Sequence, residues 1–393
     1  MIKVIVLGGH VQALGIVRAV ANQVDKCEIW DKTRYSLAKK SRYADAFRYI
    51  DHFDEQTVIT RLLREDTTGT EIIVFPNDEP CVRMLSEHYQ TLRSHGIYPA
   101  VEEWDTAMQF YDKARTYQLA EQAGIPYPRT LYLDGEPIVP QDIEYPVIVK
   151  PTVMQPFYQV HGKKAIRCGT EAQLRQTLRN VCNRKGSASD YQLMIQEVIP
   201  GSARHLYSFA GIRLDDGELF STITVRRKRQ IPADFGTGTF VETAEVPELG
   251  DLGMRLLAAA RYNGIFEIEF KYDYRDRQYK LLEVNPRLWK WHALASAVGL
   301  NIAGIFTDHV LGKNDVPNMN IPSDGTEGKW RDSVSDMAIG VQQMVSLHLS
   351  PGEFYRDWSA EHVNSVWSPQ DPRPFFYMLW ILPFLIRGGR TRV

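Results

Sequence analysis

Residues 264–287 read GIFEIEFKYDYRDRQYKLLEVNPR. Polar and apolar side chains alternate on both sides of a polar centre, which predicts a β-hairpin whose turn is centred on Asp276. Antiparallel pairing about that centre places Glu269 directly opposite Glu283. Two carboxylates are therefore expected to meet on one face of the hairpin.

Alternation also sorts the hairpin side chains into two faces. The same pairing places Glu267 opposite Asn285. The polar face is expected to carry the side chains of Glu267, Glu269, Lys271, Glu283, Asn285 and Arg287. The apolar face is expected to pack on the core through Phe266, Ile268, Phe270, Leu282 and Val284.

The facing carboxylates predict a metal site. Like charges opposite each other destabilise a sheet, so the pair requires a cation. Oxygen ligands without His or Cys select Mg²⁺, which usually keeps waters and bridges to substrate phosphates. Arg287, further along the same face, is expected to contact a phosphate oxygen. The alternative is a solvated polar face with no ligand.

The N-terminal third has the pattern of a parallel α/β sheet. Apolar strands are predicted at 3–7, 27–31 and 71–76, with helices over 10–24 and about 79–94. Strands that alternate with helices indicate a doubly wound sheet. The turn after Gly8 lacks the GxGxxG fingerprint, so an NAD-dependent oxidoreductase has weak support.

The rest of the chain has a different texture. After a helix over 112–123, strands joined mostly by turns run from 129 to 285, with helices near 171–182 and 249–262, which predicts an antiparallel α+β region. Beyond 313 the chain is turn-rich, then helical around 332–348, and it continues into an apolar tail.

Composition narrows the class of protein. The 393 residues include 46 Lys and Arg against 48 Asp and Glu, so the formal net charge is −2, and we expect no nucleic-acid partner. The four cysteines lie far apart, which argues against a zinc ribbon or a disulfide scaffold. The N-terminus turns polar too early for a signal peptide, so a cytoplasmic protein is expected.

The tail of residues 375–386 is apolar but shorter than the roughly 20 residues that a membrane span needs. Its aromatic residues, followed by Arg387, Arg390 and Arg392, suit a peripheral membrane contact through 375–392. Packing on the protein itself or on a second subunit, as in a homodimer, is the alternative.

Glu269, the run Leu281-Leu282-Glu283-Val284-Asn285-Pro286-Arg287 and the following Ala293-Leu294-Ala295-Ser296 resemble the metal-binding end of the ATP-grasp superfamily. The resemblance is to the carbamoyl-phosphate synthetase large subunit and more closely to the carboxylate–amine ligases around D-aspartate ligase, over roughly residues 1–312. It implies an N-terminal Rossmann-like pre-ATP-grasp domain (1–108), an ATP-grasp domain with two subdomains (109–312) and a C-terminal extension (313–393).

The resemblance also implies roles for individual residues. The three residues that would bind Mg²⁺ are Glu269, Glu283 and Asn285. We expect two Mg²⁺ ions there, and Mn²⁺ could replace them. Arg287 would contact a phosphate. Lys113 and Lys150 would contact ATP, and the strand carrying Gln196, Glu197, Val198 and Ile199 would be the subdomain hinge (196–200) that binds adenine. The loop after Lys150 lacks the usual glycines, so Lys163 or Lys164 would serve instead.

The basic run Arg226-Arg227-Lys228-Arg229 precedes a Gly-Thr-Gly stretch, as in the relatives. Alternation places Arg227 and Arg229 on one face, where we expect them to contact the carboxylate substrate or the transferring phosphate. A solvated surface patch is the alternative.

The resemblance implies an ATP-dependent carboxylate–amine ligase that forms an amide through an acyl phosphate, with small-molecule carboxylate and amine substrates. An amino acid or a cell-envelope precursor is the expected substrate class. A non-catalytic nucleotide-binding protein and an enzyme that forms carbamoyl or carboxy phosphate on the same fold stay open as alternatives.

Overall fold

The computed structural model describes residues 1–133, 143–182, 192–217, 219–313, 318–321 and 326–388. Its N-terminal part is built, in chain order, from β1 (Ile2–Leu7), α1 (Val11–Val20), β2 (Lys26–Asp31), β3 (Ala46–Tyr49), α2 (Glu55–Leu62), β4 (Glu71–Pro76), α3 (Glu79–Glu87), α4 (Tyr89–Ser94), β5 (Ile97–Pro99) and α5 (Trp104–Tyr111). The five strands form a parallel sheet in the order β3-β2-β1-β4-β5. The predicted doubly wound parallel sheet is confirmed.

A second layer begins with α6 (Lys113–Gln122), whose N-cap Asp112 accepts a hydrogen bond from the backbone of Ala114. It continues with β6 (Thr130–Leu133), β7 (Val147–Pro151), α7 (Met154–His161), β8 (Ile166–Cys168), α8 (Glu171–Cys182) and β9 (Leu193–Glu197). The four strands form an antiparallel sheet in the order β6-β9-β7-β8. The predicted loop after Lys150 is wrong over most of its length, because the apolar side chain of Phe157 is fully buried and secures a helix there.

The remaining elements, in chain order, are β10 (Leu206–Leu214), β11 (Leu219–Ile231), β12 (Thr237–Thr243), α9 (Pro247–Ala259), β13 (Gly264–Asp273), β14 (Gln278–Asn285), α10 (His292–Ala297), α11 (Ile302–Val310), β15 (Met319–Ile321), β16 (Lys329–Arg331), α12 (Ser333–Val345), α13 (Pro351–Ser359), β17 (Val363–Asn364) and α14 (Arg373–Gly388). They build an eight-stranded sheet in the order β14-β13-β10-β11-β12-β16-β17, with β15 beside β11. Strands from beyond residue 313 thus extend the same sheet that carries the hairpin. Nowhere in the described part of the chain does a helix combine the length and hydropathy of a membrane span.

The hairpin β13–β14 has the predicted pairing at its functional end: Glu269 faces Glu283 and Glu267 faces Asn285. Nearer the turn, Lys271 faces Lys280, and the register shifts between Glu269 and Phe270. One extra residue on β14 therefore forms a bulge. The bulge corrects one prediction, since Leu281 rather than Leu282 is buried in the core beneath the hairpin.

The hairpin lies where the N-terminal sheet meets the eight-stranded sheet. One hydrophobic cluster contains side chains of β1, α1, β10, α10 and α11 together. The ring Nε2 of buried His292 on α10 donates to the backbone oxygen of Gln12 at 3.0 Å, and the ring would collide with any side chain at Gly15. Burial lowers its pKa to about 4, so it packs as a neutral ring between the two parts of the chain.

Candidate active site

The two opposed carboxylates of the hairpin differ in their electrostatic surroundings. Arg227 on β11 donates to Glu269 at 3.0 Å, and Lys113 at the start of α6 lies 3.5 Å from Glu283. Burial raises the pKa of Glu269 despite Arg227 and with the help of the charge on Glu283. Burial acts in the same sense on Glu283, but nearby lysine and arginine charges overcome it and lower its pKa to about 2. The pair therefore holds at least one firmly ionised carboxylate at neutral pH.

Asn285 completes this set of oxygen ligands. Its side-chain nitrogen donates to Glu267 at 3.1 Å, which leaves its amide oxygen directed away from Glu267. That oxygen lies 3.5 Å from the guanidinium of Arg287. An amide oxygen next to two carboxylates is a donor set suited to a hard divalent cation.

Glu267 is a site residue that the sequence analysis placed on the polar face but assigned no role. It is 5% exposed and accepts hydrogen bonds from Asn285 and, at 2.9 Å, from the indole nitrogen of Trp291. Burial, followed by the charge on Glu269, raises its pKa to about 7. Glu267 thus fixes the orientation of Asn285. Trp291 packs in the core and also donates a hydrogen bond that holds Glu267.

Two lysines and a tyrosine form the wall opposite the hairpin. Lys150 at the end of β7 is buried, lies 3.3 Å from the hydroxyl of Tyr117, and has its pKa lowered to about 7 by burial and by the positive charge of Lys113. Tyr117 in turn donates to the backbone oxygen of Leu282 beside the bulge at 2.7 Å. Among the described residues no carboxylate forms an ion pair with Lys150, and such a buried amine is suited to an external anion.

The two arginines of the basic run have separate surroundings. Arg227 reaches Glu269, whereas the guanidinium of Arg229, 2% exposed, forms ion pairs with Asp336 at 2.8 Å and with Asp357 at 2.5 Å. Both side chains are buried and the β11–β12 register shifts between them, and the two guanidinium groups reach different partners. Arg229 joins α12 and α13 to the sheet, and a substrate role for it stays a prediction without support from its contacts.

Arg287 lies between the hairpin and the N-terminal part of the chain. Its guanidinium is 3.7 Å from Glu79, the first residue of α3, and donates to the backbone oxygen of Leu288 at 3.1 Å. Its Nε is buried and has no hydrogen-bond partner among the described residues. A cavity at this junction is lined by Glu79, Val82, Phe110, Tyr111, Lys113, Met154, Glu283, Val284, Asn285 and Pro286.

The strand β9 carries the predicted adenine contacts. Gln196 is buried and donates to Thr130 at 2.7 Å, while the carboxylate of Glu197 accepts from the backbone of Arg129 and from Arg275 and Lys280. These interactions occupy the side chains of Gln196 and Glu197, and the adenine contact of this segment stays a prediction. Lys271 binds the backbone oxygens of Ile199 and Gly201 at 2.7 and 3.0 Å, and the backbone nitrogen of Val198 donates to Pro146 at 3.2 Å.

The structure therefore brings most of the predicted residues to one place. Around the opposed carboxylates it gathers Lys113, Lys150, Arg227, Glu269, Glu283, Asn285 and Arg287. Lys164 also belongs here, because its charge acts on both Glu269 and Glu283. Within the described ranges no three His, Cys, Asp or Glu side chains are grouped to hold a metal by themselves. The donor set fits a Mg²⁺ ion that takes its other ligands from water and substrate phosphates.

Comparisons with known proteins agree with this geometry. The sequence family described as carbamoyl-phosphate synthase L chain, ATP binding domain, matches residues 229–309, which include the whole hairpin. The D-aspartate ligase of Enterococcus faecium is 22% identical over 367 residues, which cover 88% of this chain and 84% of that protein.

Solved structures establish the fold. The ADP complex of PurK, an N5-carboxyaminoimidazole ribonucleotide synthetase, superposes with a TM-score of 0.63 at 15% identity and covers 88% of this chain and 85% of that chain. The L-amino acid ligase from Bacillus licheniformis gives a TM-score of 0.59 at 12% identity, with 81% of this chain and 78% of that chain covered. The chain has the ATP-grasp fold of these proteins, as the hairpin residues had predicted.

Proposed function

We propose that this ATP-grasp protein is an ATP-dependent carboxylate–amine ligase that forms an amide bond and releases ADP and phosphate. The observation that carries the proposal is the opposed pair Glu269 and Glu283, with Asn285 beside it, inside a group of buried or half-buried cations. Such a site neutralises the charge of a nucleotide triphosphate and of a transferring phosphoryl group.

Glu269, Glu283 and Asn285 are the residues that would hold Mg²⁺, two ions in this proposal, with Mn²⁺ able to substitute. When bound, the metal supplies positive charge to the phosphate oxygens and fixes their positions. The hydrogen bond from Asn285 to Glu267 supports the assignment, because it fixes the orientation of the amide group and leaves the amide oxygen free of Glu267.

We assign nucleotide binding to the two lysines and to β9. Lys150 and Lys113 bind phosphate oxygens, and an anion next to Lys150 restores the charge that burial disfavours. The backbone of residues 196–199 binds the adenine edge. Support comes from the side chains of Gln196 and Glu197, which are held by other partners and can orient that backbone.

The reaction then needs no nucleophile from the protein. A substrate carboxylate oxygen attacks the γ-phosphorus of ATP, the bond to the β-phosphate oxygen breaks, and ADP leaves. The amine nitrogen attacks the carbonyl carbon of the acyl phosphate, the carbon–oxygen bond breaks, and phosphate leaves as the nitrogen loses a proton. In this proposal Arg227 and Arg287 stabilise the negative charge on the transferring phosphoryl oxygens; the support is that their guanidinium groups contact Glu269 and Asn285 of the hairpin.

The substrate carboxylate is, in this proposal, that of an amino acid, and the acceptor is a small-molecule amine. The support is that two proteins with detectable similarity are a D-aspartate ligase and an L-amino acid ligase. We keep a homodimer as part of the proposal, to be tested by light scattering of the full chain.

The test is release of phosphate from Mg·ATP by the full chain, against a panel of carboxylates that begins with D-aspartate, with and without amines. A ligase releases phosphate at its full rate only when a carboxylate and an amine are both present, and it releases little in the Glu283→Gln variant. Glu171→Gln, on the exposed face of α8, is the matched control and should behave as the unaltered chain.

Two outcomes would contradict the proposal. Release with bicarbonate alone, and with no other carboxylate, would indicate an enzyme that forms carboxy phosphate. Tight binding of Mg·ATP without turnover on any pair that includes D- or L-amino acids would indicate a nucleotide-binding protein without ligase activity.

A further inference from the structure

The C-terminal helix α14 is fixed on the N-terminal part of the chain. Asp371, fully buried just before the helix, accepts from Arg18 at 3.0 Å, from the hydroxyl of Ser41 at 2.7 Å and from the backbone of Arg42 at 2.9 Å. The helix then packs Phe375, Tyr377 and Met378 against the core cluster that includes β1 and α1. One side of α14 is thereby held in a single orientation.

The other side of α14 is apolar and exposed to solvent. Phe376 is 61% exposed, Leu379 47% and Trp380 63%, and Pro383 is exposed one turn further. Their spacing of three, four and seven residues places them on one face of the helix. Three large apolar side chains and a proline presented together to water are costly, and such a contiguous surface marks an interaction site.

The chain beside this face is strongly basic. Residues 32–43, which include a short 3₁₀ helix at Ala38–Lys40, contain no Asp or Glu and carry Lys32, Arg34, Lys39, Lys40 and Arg42. Residues 372–393 also lack acidic side chains and contain Arg373, Arg387, Arg390 and Arg392, of which Arg390 and Arg392 lie outside the described residues. In a protein of net charge −2 this is a pronounced local excess of one sign.

Tyr377 joins the basic segment to the exposed apolar face. The ammonium groups of Lys39 and Lys40 lie 5.3 and 5.4 Å from its ring centre, and its hydroxyl donates to the backbone oxygen of Arg34 at 3.4 Å. The ring of Trp380 stacks on Tyr377 at 5.8 Å. Burial, and after it the charges of Lys40 and Arg34, lower the pKa of Lys39.

We propose that α14 and residues 32–43 form one docking surface for an anionic lipid bilayer. Phe376, Leu379 and Trp380 enter the boundary between headgroups and acyl chains, where aromatic rings are stabilised. The flanking lysines and arginines bind lipid phosphates, and this charge complementarity favours a membrane over a second copy of the same basic surface. The surface is independent of the ligase reaction, and it would hold the protein at a membrane without a spanning helix.

The experiment is flotation of the full chain with vesicles of equal parts phosphatidylglycerol and phosphatidylcholine, compared with vesicles of phosphatidylcholine alone. We expect flotation with the anionic vesicles, a decrease with rising salt, and loss of flotation in the double variant Phe376→Ser and Trp380→Ser. The variant Lys39→Gln and Lys40→Gln, which removes the two ammonium groups nearest Tyr377, should bind roughly thirtyfold more weakly. Tyr355→Ser, which removes a 73% exposed ring from α13, and Arg255→Gln on α9 are controls expected to float normally.

Absence of flotation with anionic vesicles, or equal flotation with phosphatidylcholine alone, would overturn the proposal. A chain that dimerises in light scattering, becomes monomeric in the aromatic variant and does not float would show that the surface binds a second copy instead. Unchanged thermal unfolding and unchanged binding of Mg·ATP by each variant confirm that folding and the active site are intact, so that a failed ligase assay leaves this test unaffected.

Discussion

Glu269 lies directly opposite Glu283 across the β13–β14 hairpin, yet the two carboxylates are held in different ways. Arg227 is paired with Glu269, and lysines surround Glu283. The lowered pKa of Glu283 makes it the permanent anion of the pair. Burial raises the pKa of Glu269, so its ionised form is less strongly favoured than that of Glu283.

Glu283→Gln removes that permanent anion while keeping the side-chain shape. We expect a fall in kcat of about a hundredfold or more, because loss of one charge-stabilising group in a preorganised site typically has an effect of this size. The concentration of Mg²⁺ required for half-maximal rate should rise as well. Steady-state phosphate release over a Mg²⁺ series measures both, and a variant with normal Mg²⁺ dependence would remove Glu283 from the metal site.

Lys150 predicts a pH signature of ATP binding. With its pKa lowered to about 7, the free protein carries Lys150 mostly neutral at pH 8 and mostly charged at pH 6. Bound phosphates favour the charged form, so ATP binding at pH 8 should take up a proton, and ATP affinity should fall as the pH rises from 7 to 9. Calorimetry in buffers of different ionisation enthalpy measures the proton uptake.

Lys150→Met is the comparison for that measurement. Other groups of the site also titrate near neutral pH, and the difference between the two proteins isolates the part due to Lys150. Equal proton uptake in both would mean that Lys150 does not receive the phosphate charge. Lys39→Met, remote from the hairpin on the surface at α14, is a control whose pKa is also lowered.

The central pairing of the hairpin could be predicted because alternation and one turn suffice to define it. The predicted pairing is correct although the predicted turn centre is slightly displaced, because a bulge in β14 compensates for that displacement. The turn occupies residues 274–277, slightly before the predicted centre, and the extra residue at the bulge restores the pairing of Glu269 with Glu283. Because of the same bulge, Leu281 rather than Leu282 is buried in the core. Strict alternation along the strand cannot predict this exchange.

Other parts of the site depend on contacts between distant residues. The partners of Arg229 lie on α12 and α13, more than a hundred residues further along the chain. The indole of Trp291, just before α10, reaches Glu267 on β13 from 24 residues further along the chain. Local pattern gave the residue types and their strands, but the pairing of a buried charge with a remote element is a property of the tertiary fold.

Arg227→Lys tests the arginine assigned to the phosphoryl group. Lysine keeps the charge but cannot reproduce the paired hydrogen bonds of a guanidinium. We expect kcat to fall by roughly tenfold to a hundredfold while the Kd for Mg·ATP changes little. Arg226→Lys, a neighbour that pairs with Glu242 instead, is the matched control and should leave kcat unchanged. Loss of ATP binding in Arg227→Lys would place this residue in nucleotide binding rather than in transfer.

Arg229→Met separates a structural role from a catalytic one. Removing this guanidinium leaves Asp336 fully buried without its charge partner, so we expect the free energy of unfolding to fall by about 3–5 kcal/mol. Replacing the partner as well, in Arg229→Met with Asp336→Leu, should recover a large part of that loss, because the isolated buried charge is then gone. Urea unfolding followed by tryptophan fluorescence measures both values. A variant that unfolds normally but loses kcat would instead return Arg229 to the reaction, since a residue that only joins α12 to β11 must act through stability.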